Sequence, residues 1–436
     1  MRLVYPFDRP CKRLIAFYRF PGILRIVFTG LPLYQLYDLQ RAALAPWRLT
    51  AETVQQVFSH PMLPMAYTRM GRAVAAGAEL FERSTRRYGK PEFGLHSTWT
   101  NGVEVGVQVT TVEQRPFCDL LHFRRDTTRS DPRILVVAPM SGHYATLLRG
   151  TVAGLLPDHD VYITDWQNAA EVALEHGRFD LDDYIDYIVH FIERLGPDVH
   201  VIAVCQPSVP VLAAAAIMSA DRHPARPRSM ILMGGPIDTR INPTRVNRHA
   251  KEHSLEWFEH TCVSRVPATY PGFLRKVYPG FLQLTSFMAM NADRHLGSAL
   301  KHFHHLVRGD GESAGAHRRF YDEYLAVMDL PAEFFLQTVK VAFHDHALPC
   351  GTMTSRGNPV EPRAISDIAL MTVEGELDDI SGPGQTVAAH DLCPTLPPEK
   401  RLHHFQKGVG HFGIFNGKRW RSDILPRIRE FIRQHG

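Results

Sequence analysis

Short apolar runs alternate with segments of helical period between residues 133 and 236, and this alternation is the strongest constraint on the fold. The apolar runs are continuous and rich in β-branched residues: RILVVAPMSGH (133–143), DVYITDW (160–166), VHVIAVC (199–205) and SMILMGGP (229–236). One of the helical segments, DLDDYIDYIVHFIERLG (180–196), begins with acidic residues and ends at a glycine. Alternation of this kind predicts a parallel sheet covered by helices on both faces.

The alternation stops at about residue 243 and resumes near residue 364. The intervening residues have helical, aromatic-rich segments and no clear strand, whereas strand patterns return at DIALMTVEGELDD (367–379) and RLHHFQKGVGHFG (401–413). The sequence therefore predicts three parts, which are an N-terminal helical extension at 1–95, an α/β core at 96–242 and 364–436, and a helical cap insertion at 243–363.

The segments outside the alternating region have their own patterns. In the extension, helices are predicted at 50–60, starting from a Thr50 cap, and at 65–89, ending at Gly89. Residues 103–123 predict two or three strands.

The composition is that of an ordinary globular protein. Of the 436 residues 44% are hydrophobic and 22% charged, and the net charge is +4. Because the basic residues form no dense stripe, we expect no nucleic acid as partner. The first residues lack the pattern of a signal peptide. The apolar stretch PGILRIVFTGLPLY (21–34) is too interrupted to span a membrane, and we expect it to pack against the core, with contact to a hydrophobic surface as the alternative.

Metal and cofactor sites are not expected. The six cysteines are far apart and form no C-x-x-C pair, which predicts reduced thiols in a cytosol and no cysteine zinc site: Cys11, Cys118, Cys205, Cys262, Cys350 and Cys393. In HFHHLVRG (302–309), the three histidines have no carboxylate at a recognisable ligand spacing. We interpret them as a solvated helix face.

Three residues at predicted strand ends form a candidate catalytic set. Cys205 follows one apolar strand, Asp378 follows another, and His411 lies in the loop GVGHFG. Reactive groups of open α/β sheets gather at the carboxyl ends of the strands, and the order nucleophile, acid, histidine is that of α/β-hydrolases. The sequence therefore predicts an α/β-hydrolase fold.

Each residue type suits a step of acyl transfer. A cysteine attacks as the thiolate, His411 takes and returns its proton, and Asp378 orients the imidazole. Alternatives remain at each position. Cys205 taken alone has the pattern of a buried core thiol, Asp379 competes with Asp378 as the acid, and Ser208 and Ser141 are alternative nucleophiles.

The turn after the strand departs from the usual G-x-S-x-G pattern. Its five residues are AVCQP (203–207). Pro207 has no N–H, so the backbone N–H of Gln206 is the expected oxyanion donor at the turn. The second backbone donor is expected from Met140 or Ser141 in the loop after the first apolar strand.

Several stretches resemble the intracellular poly(3-hydroxybutyrate) depolymerases of storage-granule bacteria, the PhaZ-type enzymes. VCQPSVPVLAA is similar to that family's cysteine box, and the other similar stretches are YQLYDLQRAALAPWR, APMSGHYATLLRGTV, VYITDWQNA, FDLDDYIDY, TVEGELDDISGPGQT and GVGHFGIFNGKRW. The resemblance implies a thioester mechanism on Cys205, amorphous intracellular granules as substrate and partner, and a cytoplasmic, granule-associated location.

Two other functions stay open. A polyhydroxyalkanoate synthase uses the same residue types on the same core, although synthases usually carry G-x-C-x-G where this chain has Ala203 and Pro207. A catalytically inactive granule-binding protein is the non-enzymatic alternative. The sequence leaves the oligomeric state open.

Overall fold

A nine-stranded sheet forms the centre of the protein. The computed structural model describes residues 33–290 and 292–436. We number the strands of the sheet in chain order: β1 Ser97–Thr100, β2 Val103–Arg115, β3 Cys118–Arg125, β4 Arg133–Val137, β5 Asp160–Trp166, β6 Val199–Val204, β7 Ser229–Met233, β8 Ala369–Gly375 and β9 Arg401–Gln406.

The strand order confirms the predicted α/β-hydrolase fold. Across the sheet the order is β1-β2-β3-β5-β4-β6-β7-β8-β9. The pairs from β1 to β5 along one edge are antiparallel. All pairs from β5–β4 to β8–β9 are parallel, with β4 and β5 exchanged relative to the chain order. The carboxyl ends of β6, β7 and β8 therefore meet at one edge of the sheet.

Helices cover the sheet where the sequence predicts them. The helix Leu181–Leu195 begins with a capping box, in which Asp180 and Asp183 each accept from the other's backbone N–H, and it ends at Gly196 with φ 79°. Its apolar face packs into the main hydrophobic core. The other helices of the core are Arg149–Leu155, Ser208–Ala220, Ala389–Leu392, Gly417–Arg419 and Leu425–His435.

Two helices, Leu33–Ser59 and Arg69–Thr85, form the described part of the N-terminal extension. The predicted start at Thr50 is wrong, because Thr50 lies inside the first helix and its hydroxyl donates to the carbonyl of Pro46 (3.0 Å). The second helix also ends four residues before the predicted Gly89. Residues 1–32, which contain Cys11 and most of the 21–34 stretch, lie outside the described residues.

The insertion is mainly helical. Its helices are Arg245–Glu252, Leu255–Cys262, Gly280–Met290, Ala292–Arg308, Gly311–Tyr324 and Ala332–Thr338. The expectation of no strand is wrong in detail. Ser264–Arg265, Lys276–Tyr278 and Leu330–Pro331 form a small antiparallel sheet, and Thr354–Ser355 pairs with Asn358–Pro359. Strands of two or three residues are too short to show a period of two in a sequence.

Polar contacts join the extension to the insertion. Arg318 donates two hydrogen bonds to the carboxylate of Glu79 (both 2.6 Å), and His302 lies 3.3 Å from the same carboxylate. His302 is fully buried. The predicted solvated face is therefore wrong for His302, because Ala292–Arg308 packs against Arg69–Thr85.

In residues 33–290 and 292–436, no helix is both long enough and apolar enough to cross a bilayer.

Candidate active site

Cys205 occupies a sharp turn between β6 and the helix Ser208–Ala220. Its φ is 68°, a left-handed conformation that is uncommon for residues other than glycine. Its N–H donates to the carbonyl of Met233 on β7 (2.7 Å), and its own carbonyl accepts from the N–H of Ser208 (3.1 Å). Backbone outliers held by such contacts concentrate at functional sites. The turn thus projects the thiol from the carboxyl edge of the sheet.

Two glycines after β7 leave room for this turn. A Cβ on Gly235 would lie 2.1 Å from the Cβ and Oγ of Ser208, and a Cβ on Gly234 would lie 3.2 Å from His411 Cε1. Only glycine allows so close an approach. Sequence reasoning missed both residues as parts of the site, although the pair directly after an apolar strand was a visible signal.

His411 and Asp378 form a buried pair beside the turn. His411 Nδ1 donates to Asp378 Oδ2 (2.8 Å), while Asp378 Oδ1 accepts from the N–H groups of Ile380 (2.9 Å) and Ser381 (2.8 Å). Both carboxylate oxygens are therefore occupied, which fixes the acid. Asp379, the competing acid, points to the exposed side and is not part of this network.

The charge state of His411 depends on its two neighbours. Burial by itself lowers the pKa of His411, but the charge of Asp378 and then of Cys205, with hydrogen bonds to both, outweighs burial and holds the pKa well above its ordinary value. Since Nδ1 is engaged by Asp378, the other ring nitrogen faces the sulfur. The arrangement favours an imidazolium beside Cys205.

The predicted oxyanion donors differ in availability. Within the described chain, the N–H groups of Gln206 and Ser141 have no hydrogen-bond partner. The Met140 N–H instead donates to the side-chain Oε1 of Gln206 (3.2 Å), whose Nε2 is buried without a partner. Of the two candidates for the second donor, Ser141 is the one with a free N–H in this structure.

The two alternative serine nucleophiles are placed unlike Cys205. Ser208 is fully buried, so a substrate has no access to its hydroxyl. Ser141 lines the cavity beside Cys205. In the described residues, neither serine hydroxyl hydrogen-bonds to His411.

A cavity of about 840 Å³ opens onto Cys205 and His411. Its wall is mostly aliphatic and aromatic and comes from both the core and the insertion; Leu282, Phe334, Phe335, Val339 and Phe412 are among its residues. A concave, mainly apolar space with a few polar groups is typical of a small-molecule site. The insertion therefore covers the candidate site.

The remaining described thiols are placed differently. Burial raises the pKa of Cys262, which lines the cavity, to about 11, and that of Cys393 to about 12. Cys350 is exposed, and Cys118 is fully buried in the core. In the described part of the chain, no group of three or more histidine, cysteine or acidic residues is arranged to hold a metal ion.

The C-terminal part of the chain matches a known family. Residues 234–436 match the family model described as "PHB de-polymerase C-terminus". The matched range includes Asp378 and His411, whereas Cys205 precedes it. Less than half of the 436 residues are therefore similar to the C-terminal part of PHB depolymerases.

Several solved structures resemble the chain at low sequence identity. A putative lipase from Acinetobacter baumannii AYE is 12% identical with a TM-score of 0.42, covering 75% of this chain and 93% of that one. The putative non-heme bromoperoxidase BpoC from Mycobacterium tuberculosis H37Rv is 13% identical with a TM-score of 0.44, covering 77% and 97%. At such identities and TM-scores the likeness supports no conclusion about what this chain does. No curated protein matches the chain.

Proposed function

We propose that the protein hydrolyses ester bonds of poly(3-hydroxybutyrate) through an acyl-enzyme on Cys205. One observation carries the proposal, namely the thiol at a positive-φ turn beside a histidine that is hydrogen-bonded to Asp378. The match of residues 234–436 suggests the polymer as substrate.

Acylation uses the thiol of Cys205, two backbone N–H groups and the imidazole of His411, in that order. The Cys205 sulfur attacks an ester carbonyl carbon, a C–S bond forms, and the carbonyl oxygen becomes an oxyanion that the N–H groups of Gln206 and Ser141 can stabilise. His411 then donates its proton to the departing alkoxide as the C–O bond breaks. Asp378 keeps the imidazole oriented throughout.

Deacylation repeats these steps with water. His411 takes a proton from a water molecule, which attacks the thioester carbon. The C–S bond breaks, the carboxylic acid product is released, and the free thiol of Cys205 is restored. The net reaction consumes one water per ester and needs no cofactor.

The cavity suits a polyester with small side chains. A poly(3-hydroxybutyrate) segment presents methyl groups and uncharged ester groups, which match the apolar wall formed by Tyr278, Phe334 and Phe335. A segment of amorphous polymer can enter such a cavity, whereas a chain packed in a crystal cannot. We propose the surface of amorphous storage granules in the cytoplasm as the site of this activity.

A granule assay tests the proposal. Purified wild-type protein should lower the turbidity of amorphous poly(3-hydroxybutyrate) granules and release 3-hydroxybutyrate, and Cys205→Ala should abolish both. Cys350→Ala is the matched control, because it removes an exposed thiol outside the cavity wall. Unchanged hydrolysis by Cys205→Ala would contradict the mechanism. Granule binding by wild type without acid release would favour a non-enzymatic binding protein.

An acyltransferase is the second candidate, because the same three residues could pass the acyl group to a hydroxyl. Incubation with 3-hydroxybutyryl-CoA separates the two functions. A hydrolase forms no polymer there, whereas polymer formation with release of CoA would favour a synthase.

A further inference from the structure

The fully charged side chains in the cavity wall share one helix. Of the described lysine, arginine, aspartate and glutamate residues, those lining the cavity are Arg245, Arg248 and Glu252. They lie at positions i, i+3 and i+7 of the helix Arg245–Glu252, and therefore on one face. The rest of the wall is mainly apolar, so this face carries the fixed charges of the cavity wall.

The two arginines have no carboxylate partner in the described chain. Arg248 donates to the carbonyl of Pro243 (2.5 Å), and neither guanidinium takes part in an ion pair there. Arginine side chains at a recognition site usually engage carboxylate or phosphate groups through their planar fork of donors. This face of the cavity wall thus offers two cations to an anionic ligand.

The helix is attached to the loop that holds the catalytic acid. Thr244, its N-cap residue, donates from its hydroxyl to the carbonyl of Ile380 (3.0 Å), and Gln385 donates to the side chain of Asn247 (2.8 Å). The N–H of Ile380 in turn donates to Asp378 (2.9 Å). These contacts therefore hold the helix that carries the arginines against the candidate active site.

We propose that Arg245 and Arg248 bind the terminal carboxylate of short 3-hydroxybutyrate oligomers and direct cleavage to the ester nearest the free-acid end. The inference rests on the proposed ester hydrolysis. Esters within a long polymer carry no charge, whereas each chain end and each soluble oligomer offers one carboxylate. The apolar wall then accommodates the methyl-bearing units on the hydroxyl side of the cleaved bond.

The other polar residues of this face, Glu252 and His249, leave one favourable position for a carboxylate, which is beside the two arginines. Glu252 lies one turn beyond Arg248 and repels a carboxylate, which leaves the arginine end of the face as the favourable position. The neighbouring His249 has its pKa lowered by burial and then by His253, so it adds little positive charge near neutral pH.

The chemistry places the arginines on the leaving-group side. When the Cys205 sulfur forms its C–S bond with the ester carbonyl, the C–O bond to the terminal unit breaks, and that unit leaves as an alcohol after taking the His411 proton. The departing unit is the one that carries the carboxylate. The acyl group retained on the sulfur carries the hydroxyl end, and water releases it in the second step.

A substrate pair tests the proposal. The 3-hydroxybutyrate trimer is compared with its methyl ester, in which the terminal carboxylate is masked, and kcat and KM are measured for both. We expect wild type to show a kcat/KM about tenfold higher for the free acid. Arg245→Gln/Arg248→Gln should remove this preference by raising KM for the acid and should leave the methyl ester within about twofold. Lys251→Gln, a basic residue of the same helix outside the wall, is the control.

The possible failures are distinguishable. Equal turnover of both trimers by wild type would overturn the carboxylate site while leaving the proposed ester hydrolysis intact. A double variant that lowers the two activities equally would show a structural effect and would also overturn it. If wild type hydrolyses neither trimer nor granules, the proposed function itself fails.

Discussion

Asp378 accepts the hydrogen bond of His411 Nδ1 with one carboxylate oxygen and two backbone N–H groups with the other. The histidine therefore has a single orientation, in which its second nitrogen faces Cys205. This relationship brings together residues from the ends of β6, β8 and β9.

Replacing the acid tests that relationship. Asp378→Asn keeps the shape but places an amide against Nδ1, so we expect kcat to fall by about 10³–10⁴-fold, measured on a soluble 3-hydroxybutyrate ester. Asp379→Asn is the matched control and should retain activity, since Asp379 is exposed. Equal losses in the two variants would remove Asp378 from the mechanism.

Gly235 is expected to be required for the turn at Cys205. In Gly235→Ala the new Cβ would lie 2.1 Å from Ser208, so we expect a loss of about 1–3 kcal/mol in the free energy of unfolding, together with reduced activity. Adding Ser208→Gly removes the closest contact and should recover part of both, measured by denaturant unfolding. Gly77→Ala, which meets nothing within 4 Å, should not destabilise. The absence of any recovery would contradict the steric explanation.

Asp329 should make stability depend on pH. It accepts hydrogen bonds from Tyr34 (2.7 Å) and from the N–H of Gly280 (2.8 Å), but burial raises its pKa from 3.8 to about 6. Because the folded protein holds the proton more tightly than the unfolded chain, the folded state loses stability as pH rises between these two values.

A comparison of wild type with Asp329→Asn isolates this effect. The free energy of unfolding of wild type minus that of Asp329→Asn should fall by about 2–3 kcal/mol between pH 4 and pH 7.5. The measurement is urea unfolding at several pH values. A difference that does not change with pH would show that Asp329 titrates alike in both states.

The alternating core could be predicted because its signals are local. The capping box at Asp180 and Asp183 and the glycine after Leu195 are visible in nearby residues of the sequence. The strand β5 coincides with the apolar run predicted at 160–166. The three site residues could be recognised because they lie at predicted strand ends and because their chain order is that of α/β-hydrolases.

The features that were missed depend on contacts between distant residues. The burial of His302 arises only when its helix packs on Arg69–Thr85, more than two hundred residues away in the chain. The contact between the Met140 N–H and the Gln206 side chain likewise needs the folded loops.

The first helix runs through Pro46, where the sequence offers a reason to expect a break.

The most direct test of the central claim is to trap the acyl-enzyme. A chromogenic 3-hydroxybutyrate ester is mixed with excess protein, quenched in acid within milliseconds and digested, and the mass of the peptide carrying Cys205 is measured. We predict one 3-hydroxybutyryl group on that peptide, formed at the rate of the chromogenic burst and absent in Cys205→Ala. A burst without an adduct on Cys205, or an adduct on another residue, would contradict the account.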